Sequence, residues 1–204
     1  MRILAISPHP DDLEIGCGGT LLKYSRRGAE ITALIMTDGS LGGGVSLRRT
    51  EQDEAARIIG IQQVLWGGFQ DADLPGDRLV IDRIEEVLRE IEPTFLFVPY
   101  GKDTHQDHRK VSSAALSATR YARNVLFYEC PTSTDFHPTI FVDVDAEIEE
   151  KIEALEAHRS QVERTHIEGL PITDIARSMA HFRGTQSRVK HAEGFLPVRL
   201  FINL

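Results

Sequence analysis

Short apolar runs alternate with longer amphipathic stretches through the first two thirds of this chain, and this alternation constrains its fold most. Residues 3–7, 31–37, 63–66, 94–99 and 125–129 read as strands, because each is a brief apolar run of strand length. Residues 15–27, 47–59, 79–91 and 109–122 read as helices. In the third of these, Val80, Ile84, Val87, Leu88 and Ile91 share one face, and Pro93 follows. Gly28 and Gly60 are stop signals for the first two. Strand and helix in alternation predict a mostly parallel sheet covered by helices on both faces. The last third changes character, with strands expected at 139–144 and 198–202 and helices at 146–158 and 172–182. There is no internal repeat or linker, so residues 1–204 are expected to form a single domain.

With 204 residues, of which 41% are hydrophobic, the chain can bury one ordinary core. Its apolar runs are far shorter than a membrane span. Its N-terminus reads directly as a strand rather than a signal peptide, so a cytoplasmic location without membrane association is expected. The net charge of −8 argues against a nucleic-acid partner, which needs a basic face. Cys17 and Cys130 are expected to be inert buried thiols rather than a disulfide.

Two clusters carry the chemistry. His9-Pro10-Asp11-Asp12 follows the first strand, and Asp103-Thr104-His105-Gln106-Asp107-His108 follows the fourth. In open α/β sheets, ligands bind at the carboxyl ends of strands. Pro8 and Pro10 hold the backbone around His9 extended. Read singly, an Asp at a helix start is often only a cap. Together, the clusters suggest one metal site built from two strand ends. A catalytic zinc site needs three His or carboxylate ligands and an open position, and His9, Asp12 and His108 can supply them. Asp11 is then free to act as general base. His105 is expected to be a protonated imidazole, with Asp107 accepting its ring N–H, and to stabilise an oxyanion. The unclustered His137, His158, His166 and His181 read as surface or hydrogen-bonded residues. Gly16-Cys17-Gly18-Gly19 lacks G-x-G-x-x-G spacing, since Leu21 holds the last position. It reads as a close helix–sheet contact rather than a nucleotide site.

At Pro8–Thr20, Thr37-Asp38-Gly39, Arg49 to Glu51, Asp103-x-His105-x-Asp107-His108 and Ala192-Glu193-x-Phe195, the sequence resembles the LmbE-like (PIG-L) family of zinc-dependent N-deacetylases. The resemblance implies a Rossmann-like three-layer αβα sandwich and hydrolysis of an N-acetyl group from an N-acetylglucosamine-type sugar or conjugate. It implies one Zn2+ on His9, Asp12 and His108, Asp11 as base, and His105 with Asp107 at the oxyanion. It also implies substrate contacts from Arg49 and Asp71, and a homo-oligomer (trimer or hexamer). Where many members place Tyr, this chain has His191, which could serve as a second oxyanion donor. Gln106 stands where members often have Pro, which removes no ligand. Three other readings stay open: an amidase acting on a different conjugate, an iron(II) oxygenase, whose facial triad uses the same ligand types, and a non-catalytic metal or sugar-binding module. The last two leave Asp11 without a role.

Overall fold

A computed structural model describes residues 1–201, apart from the Tyr121 side chain. Among these residues the elements run β1 (Arg2–Ser7), α1 (Asp12–Ser25), β2 (Glu30–Thr37), α2 (Val45–Ile59), β3 (Gln63–Phe69), α3 (Asp77–Ile91), β4 (Phe95–Pro99), α4 (Gln106–Ala118), β5 (Asn124–Tyr128), β6 (Ile140–Asp143), α5 (Ile148–Ala157), α6 (Ile172–Ser187) and β7 (Ala192–Arg199). The seven strands form one sheet in the order β3-β2-β1-β4-β5-β7-β6. Strands β1 to β5 are parallel, and β7 runs antiparallel between β5 and β6. The fold is therefore the expected three-layer α/β sandwich with a mostly parallel sheet.

The topology places the site. The chain steps from β1 outward through β2 to β3, then crosses back so that β4 flanks β1 on its other side. Helices α1, α2 and α5 pack together on one face, and α3 and α4 on the other. Chains leaving the ends of β1 and β4 thus diverge, and a crevice opens at this switch in strand order. Central strands are apolar on both faces: Ile3, Leu4, Ala5 and Ile6 of β1 are all fully buried, as a sheet covered on both sides requires.

The glycine run works as expected. A Cβ on Gly16 would lie 2.1 Å from the Tyr128 ring, and one on Gly19 2.9 Å from Val144. Both cysteines are buried and free. The closing strand differs from the expectation: it spans Ala192–Arg199 rather than 198–202, and residue 202 lies outside the described residues. Its polar start hid it. Glu193 is buried there, accepting from the backbone N–H of Gly19 (2.9 Å) and Thr20 (2.7 Å) and from Lys151 Nζ (2.6 Å). His158 is no surface residue either. It is fully buried, with Nε2 3.7 Å from Glu14 Oε2.

Candidate active site

The turn after β1 is pinned to its neighbours. Pro8 O accepts from Thr37 N (3.0 Å) and Thr37 Oγ1 (2.9 Å), and His9 O accepts from Ser7 Oγ (2.6 Å). Asp11 occupies the N-cap position of α1 with φ 106°, in the left-handed region, and its side chain makes no capping hydrogen bond. It is therefore not a helix cap. Its carboxylate instead takes a hydrogen bond from Arg48 Nη2 at 3.0 Å, and the same nitrogen also donates to Pro10 O.

The two strand ends converge on Asp12. Its Oδ2 lies 3.0 Å from His9 Nδ1 and 3.3 Å from His108 Nε2. Ligands about 2.0–2.1 Å from a tetrahedral ion stand roughly 3.3 Å apart, so the two contacts to Asp12 each have the spacing and chemistry of a zinc-type ligand pair, while the three-residue groups whose donor atoms all lie within 4.8 Å of one another are His9–His105–His108, Asp12–His108–Cys130 and His9–Asp71–Asp107. Each imidazole also turns its other nitrogen to carboxylates. His9 Nε2 is 3.1 Å from Asp107 and 3.3 Å from Asp71. His108 Nδ1 is 3.2 Å from Asp103 Oδ2, an ion-pair contact off the hydrogen-bond line. A carboxylate behind a metal-ligating histidine fixes its tautomer and orientation. Asp103 is itself held by His105 N (2.8 Å) and Ser133 Oγ (3.0 Å).

Asp103 and Cys130 carry no role in the sequence reading. Cys130, just past β5, has its sulfur within 4.8 Å of donor atoms of Asp12 and His108. No spacing in the sequence links it to them. Adjacency of β4 and β5 does. Burial pushes its thiol up to about 12, and the Asp12 charge adds to this.

The charges in this cluster are strongly coupled. Burial alone would raise the carboxyls of Asp12, Asp71, Asp103 and Asp107, but the imidazoles of His9 and His108 hold all four below the usual range. Burial alone would lower the two imidazoles, but these carboxylates raise both. Asp11 moves the other way: burial and the Asp12 charge push it up against the pull of Arg48.

His105 departs from the expected protonated form. Its Nδ1 accepts from the Asp107 backbone N–H at 3.2 Å, capping α4. The Asp107 carboxylate meanwhile turns to His9 and to Ala72 N (2.9 Å). Burial and the charges of His9 and His108 lower the His105 imidazole. An Nδ1 that accepts leaves hydrogen on Nε2, so His105 is a neutral N–H donor. Its ring centroid lies 4.6 Å from that of His9 and 4.8 Å from that of His108.

Of the expected substrate contacts, Asp71 joins the cluster, with Oδ2 also accepting from Leu41 N at 3.1 Å. Arg49 does not touch it. It is exposed, with its guanidinium 4.8 Å from the Trp66 ring centroid. The buried arginine is Arg48, one residue earlier, which also donates to Glu51 (3.2 Å). Helical spacing was the available signal: Arg48, Glu51, Gln52, Ala55, Ala56 and Ile59 share the buried face of α2. His191 is likewise tied elsewhere. It is buried, with Nδ1 2.6 Å from Asp145 Oδ1 and its ring on that of His181. Its described contacts lie with α6 and the turn after β6.

Comparison with known proteins gives consistent matches. The family model PIG-L (GlcNAc-PI de-N-acetylase) matches residues 4–119. The chain is 34% identical over 168 residues to the uncharacterized deacetylase YaiS of Escherichia coli K12, covering 78% of this chain and 90% of that protein. It is 31% identical over 224 residues to diacetylchitobiose deacetylase of Thermococcus kodakarensis, covering 96% and 83%. The N,N'-diacetylchitobiose deacetylase structure from Pyrococcus horikoshii, complexed with the inhibitor MPG, superposes with a TM-score of 0.83. It is 27% identical, over 97% of this chain and 83% of that one.

Proposed function

Because the chain belongs to the PIG-L family, we propose that it is a metal-dependent hydrolase that removes the N-acetyl group from an N-acetylglucosamine-type sugar or conjugate and releases acetate. The observation that carries this reading is the shared use of Asp12 Oδ2 by His9 and His108, with a carboxylate behind each ring. His9, Asp12 and His108 would hold one zinc ion. Bound there, zinc supplies a Lewis acid and lowers the pKa of a coordinated water toward ~7. A relative named for the same chemistry on a disaccharide supports the substrate class.

The chain's own residues divide the remaining work. Asp11, raised by burial and by Asp12, is poised to take a proton from the attacking water, since a base works best near the operating pH. His105, through Nε2–H, donates to the oxygen that gains negative charge at the acetyl carbon. Asp11, once protonated, returns the proton to the leaving amine. Asp107 and Asp71 keep His9 oriented, and Asp103 does so for His108. The reading further expects a cytoplasmic location and a homo-oligomer (trimer or hexamer), to be checked by fractionation and sedimentation.

The test is acetate release from N-acetylglucosamine and its small conjugates, beside amides of the same amines with longer acyl chains. The reading expects the acetyl compounds to be preferred. Preference for a longer acyl group would move the protein to the amidase alternative.

A further inference from the structure

A third strand end reaches the cluster through Cys130, whose sulfur has no part in the hydrolysis described above. Cys130 follows β5 and is 2% exposed. Its backbone is fixed in a short turn, where Cys130 N donates to Ser133 Oγ at 2.9 Å and Ser133 N donates to Cys130 O at 3.0 Å. That turn is stitched to the loop after β4. Ser133 Oγ donates to Asp103 Oδ2 at 3.0 Å, Thr104 N donates to Thr132 O at 3.1 Å, and Asp103 and Ser133 form an antiparallel bridge. The segment that carries the thiol is therefore built onto the segment that carries Asp103 and His108, and the thiol is held beside the cluster by backbone as well as by packing.

The donors around it are those of a metal site. The Cys130 sulfur and one donor atom each of Asp12 and His108 lie within 4.8 Å of one another. Asp12 and His108 are 6% and 4% exposed, and Nδ1 of His108 has no hydrogen-bond partner among the described residues. The His108 imidazole also lies close enough to pull the thiol down against its burial and the Asp12 charge. Cys17, the other of the two cysteines, joins no group of this kind among the described residues. On one tetrahedral ion, a sulfur at about 2.3 Å and a nitrogen or oxygen at about 2.0–2.1 Å stand roughly 3.6 Å apart. Rotation about the single χ angle of Cys130 spans the difference. A thiolate is soft where a carboxylate is hard, so a set that includes Cys130 selects different ions from one that includes His9.

We propose that Asp12, His108 and Cys130 form a second ligand set within the same centre, one that takes a soft divalent cation such as cadmium and binds it through sulfur. The proposal rests on the metal-centre reading for Asp12 and His108 and adds the thiol to it. On binding, the S–H bond of Cys130 breaks, the sulfur electron pair forms the bond to the ion, and the proton leaves to solvent. Nothing is oxidised or reduced, and a thiol that coordinates is deprotonated outright. Because the two sets share Asp12 and His108, an ion in one excludes an ion in the other. A catalytic site keeps one position open for water. A soft ion that adds sulfur to its ligands closes that position, so cadmium is expected to inhibit by displacing the working ion.

Cadmium is the probe, because its bond to a thiolate absorbs in the ultraviolet whereas its bonds to nitrogen and oxygen do not. Chelator-treated full-length wild-type, Cys17→Ala and Cys130→Ser proteins are titrated with cadmium, and cadmium and zinc affinities are measured by competition. The wild-type and Cys17→Ala proteins are expected to gain the thiolate absorption in step with cadmium bound. Cys130→Ser is expected to lack it, and its cadmium-to-zinc affinity ratio to fall roughly tenfold, about 1.4 kcal/mol. Cys130→Ala, which buries no hydroxyl, repeats the measurement if serine disturbs the fold. Cadmium bound by the wild-type protein without thiolate absorption would overturn the second ligand set and leave the metal centre standing. So would an absorption that survives in both Cys130 variants, or an affinity ratio unchanged in them. Binding of neither ion by the wild-type protein would overturn the set together with the centre on which it rests.

Discussion

Asp11 is held at φ 106°, a conformation costing a non-glycine residue of order 1–3 kcal/mol, and Arg48 bridges its carboxylate and the preceding carbonyl. Strain of this kind at a reacting group trades stability for function. Asp11→Gly should therefore gain about 1 kcal/mol by thermal or urea unfolding, yet lose turnover by roughly 10²–10⁴ with metal content unchanged. A destabilised, active Asp11→Gly protein would contradict both roles. The two adjacent arginines make a sharper pair. Arg48→Ala leaves the buried Glu51 without its cation and should cost about 3–5 kcal/mol. Arg49→Ala, at an exposed position, should stay within ~0.5 kcal/mol. Equal unfolding midpoints for the two variants would overturn this assignment. The sequence held enough to separate them, since only Arg48 falls in step with Ala55 and Ile59. The His105 tautomer could not be read in advance. It depends on α4 beginning at Gln106, three residues earlier than its apolar periodicity suggests, so that the Asp107 N–H meets Nδ1.

At the scale of elements, α1 lies so close to the sheet that its glycines are not equivalent. A Cβ on Gly16 meets Tyr128 at 2.1 Å, whereas one on Gly18 finds nothing nearer than 3.6 Å. Gly16→Ala should lower the unfolding free energy by about 1–3 kcal/mol, because Tyr128 is fully buried and hydrogen-bonded to Ile6 O. Gly18→Ala should be neutral or raise it by about 0.5–1 kcal/mol through helix propensity. Thermal melts of the two proteins decide this, and a shift in the same direction for both would contradict the packing account. The first five strands and the helices between them were legible because β1, β2, β4 and β5 are largely buried on both faces and read as apolar runs, and β3, only partly buried at the sheet edge, still carries the short apolar run Val64-Leu65-Trp66. β7 was not, because its first turn of side chains buries Glu193 against Lys151 across 42 residues of sequence. The positions of Asp103 and Cys130 beside His108 were not legible for a related reason. Their roles come from which strands are neighbours, and a pattern within one segment does not encode that.

For the molecule as a whole, the cluster links proton binding, metal binding and stability. In the metal-free protein, carboxylates with lowered folded pKa values contribute stability above the ordinary pKa of ~4 and lose it as pH falls. Imidazoles with raised values contribute below ~6.5 and lose it as pH rises through their folded values. Since these neighbours raise both His9 and His108, metal binding near neutral pH is expected to release protons, and affinity is expected to rise with pH. Titration calorimetry in buffers of different ionisation enthalpy measures this directly, and a binding heat independent of buffer would contradict it. The central claim is that one ion held by two strand ends drives hydrolysis of an N-acetyl group. Its most direct test is elemental analysis together with acetate release, on wild-type protein before and after chelation and on His108→Ala. The account expects about one zinc per chain, acetate release that is lost on chelation and restored by zinc, and neither metal nor activity in the variant. Acetate release that persists in protein verified to be metal-free, or a His108→Ala protein that keeps both its ion and its activity, would contradict it.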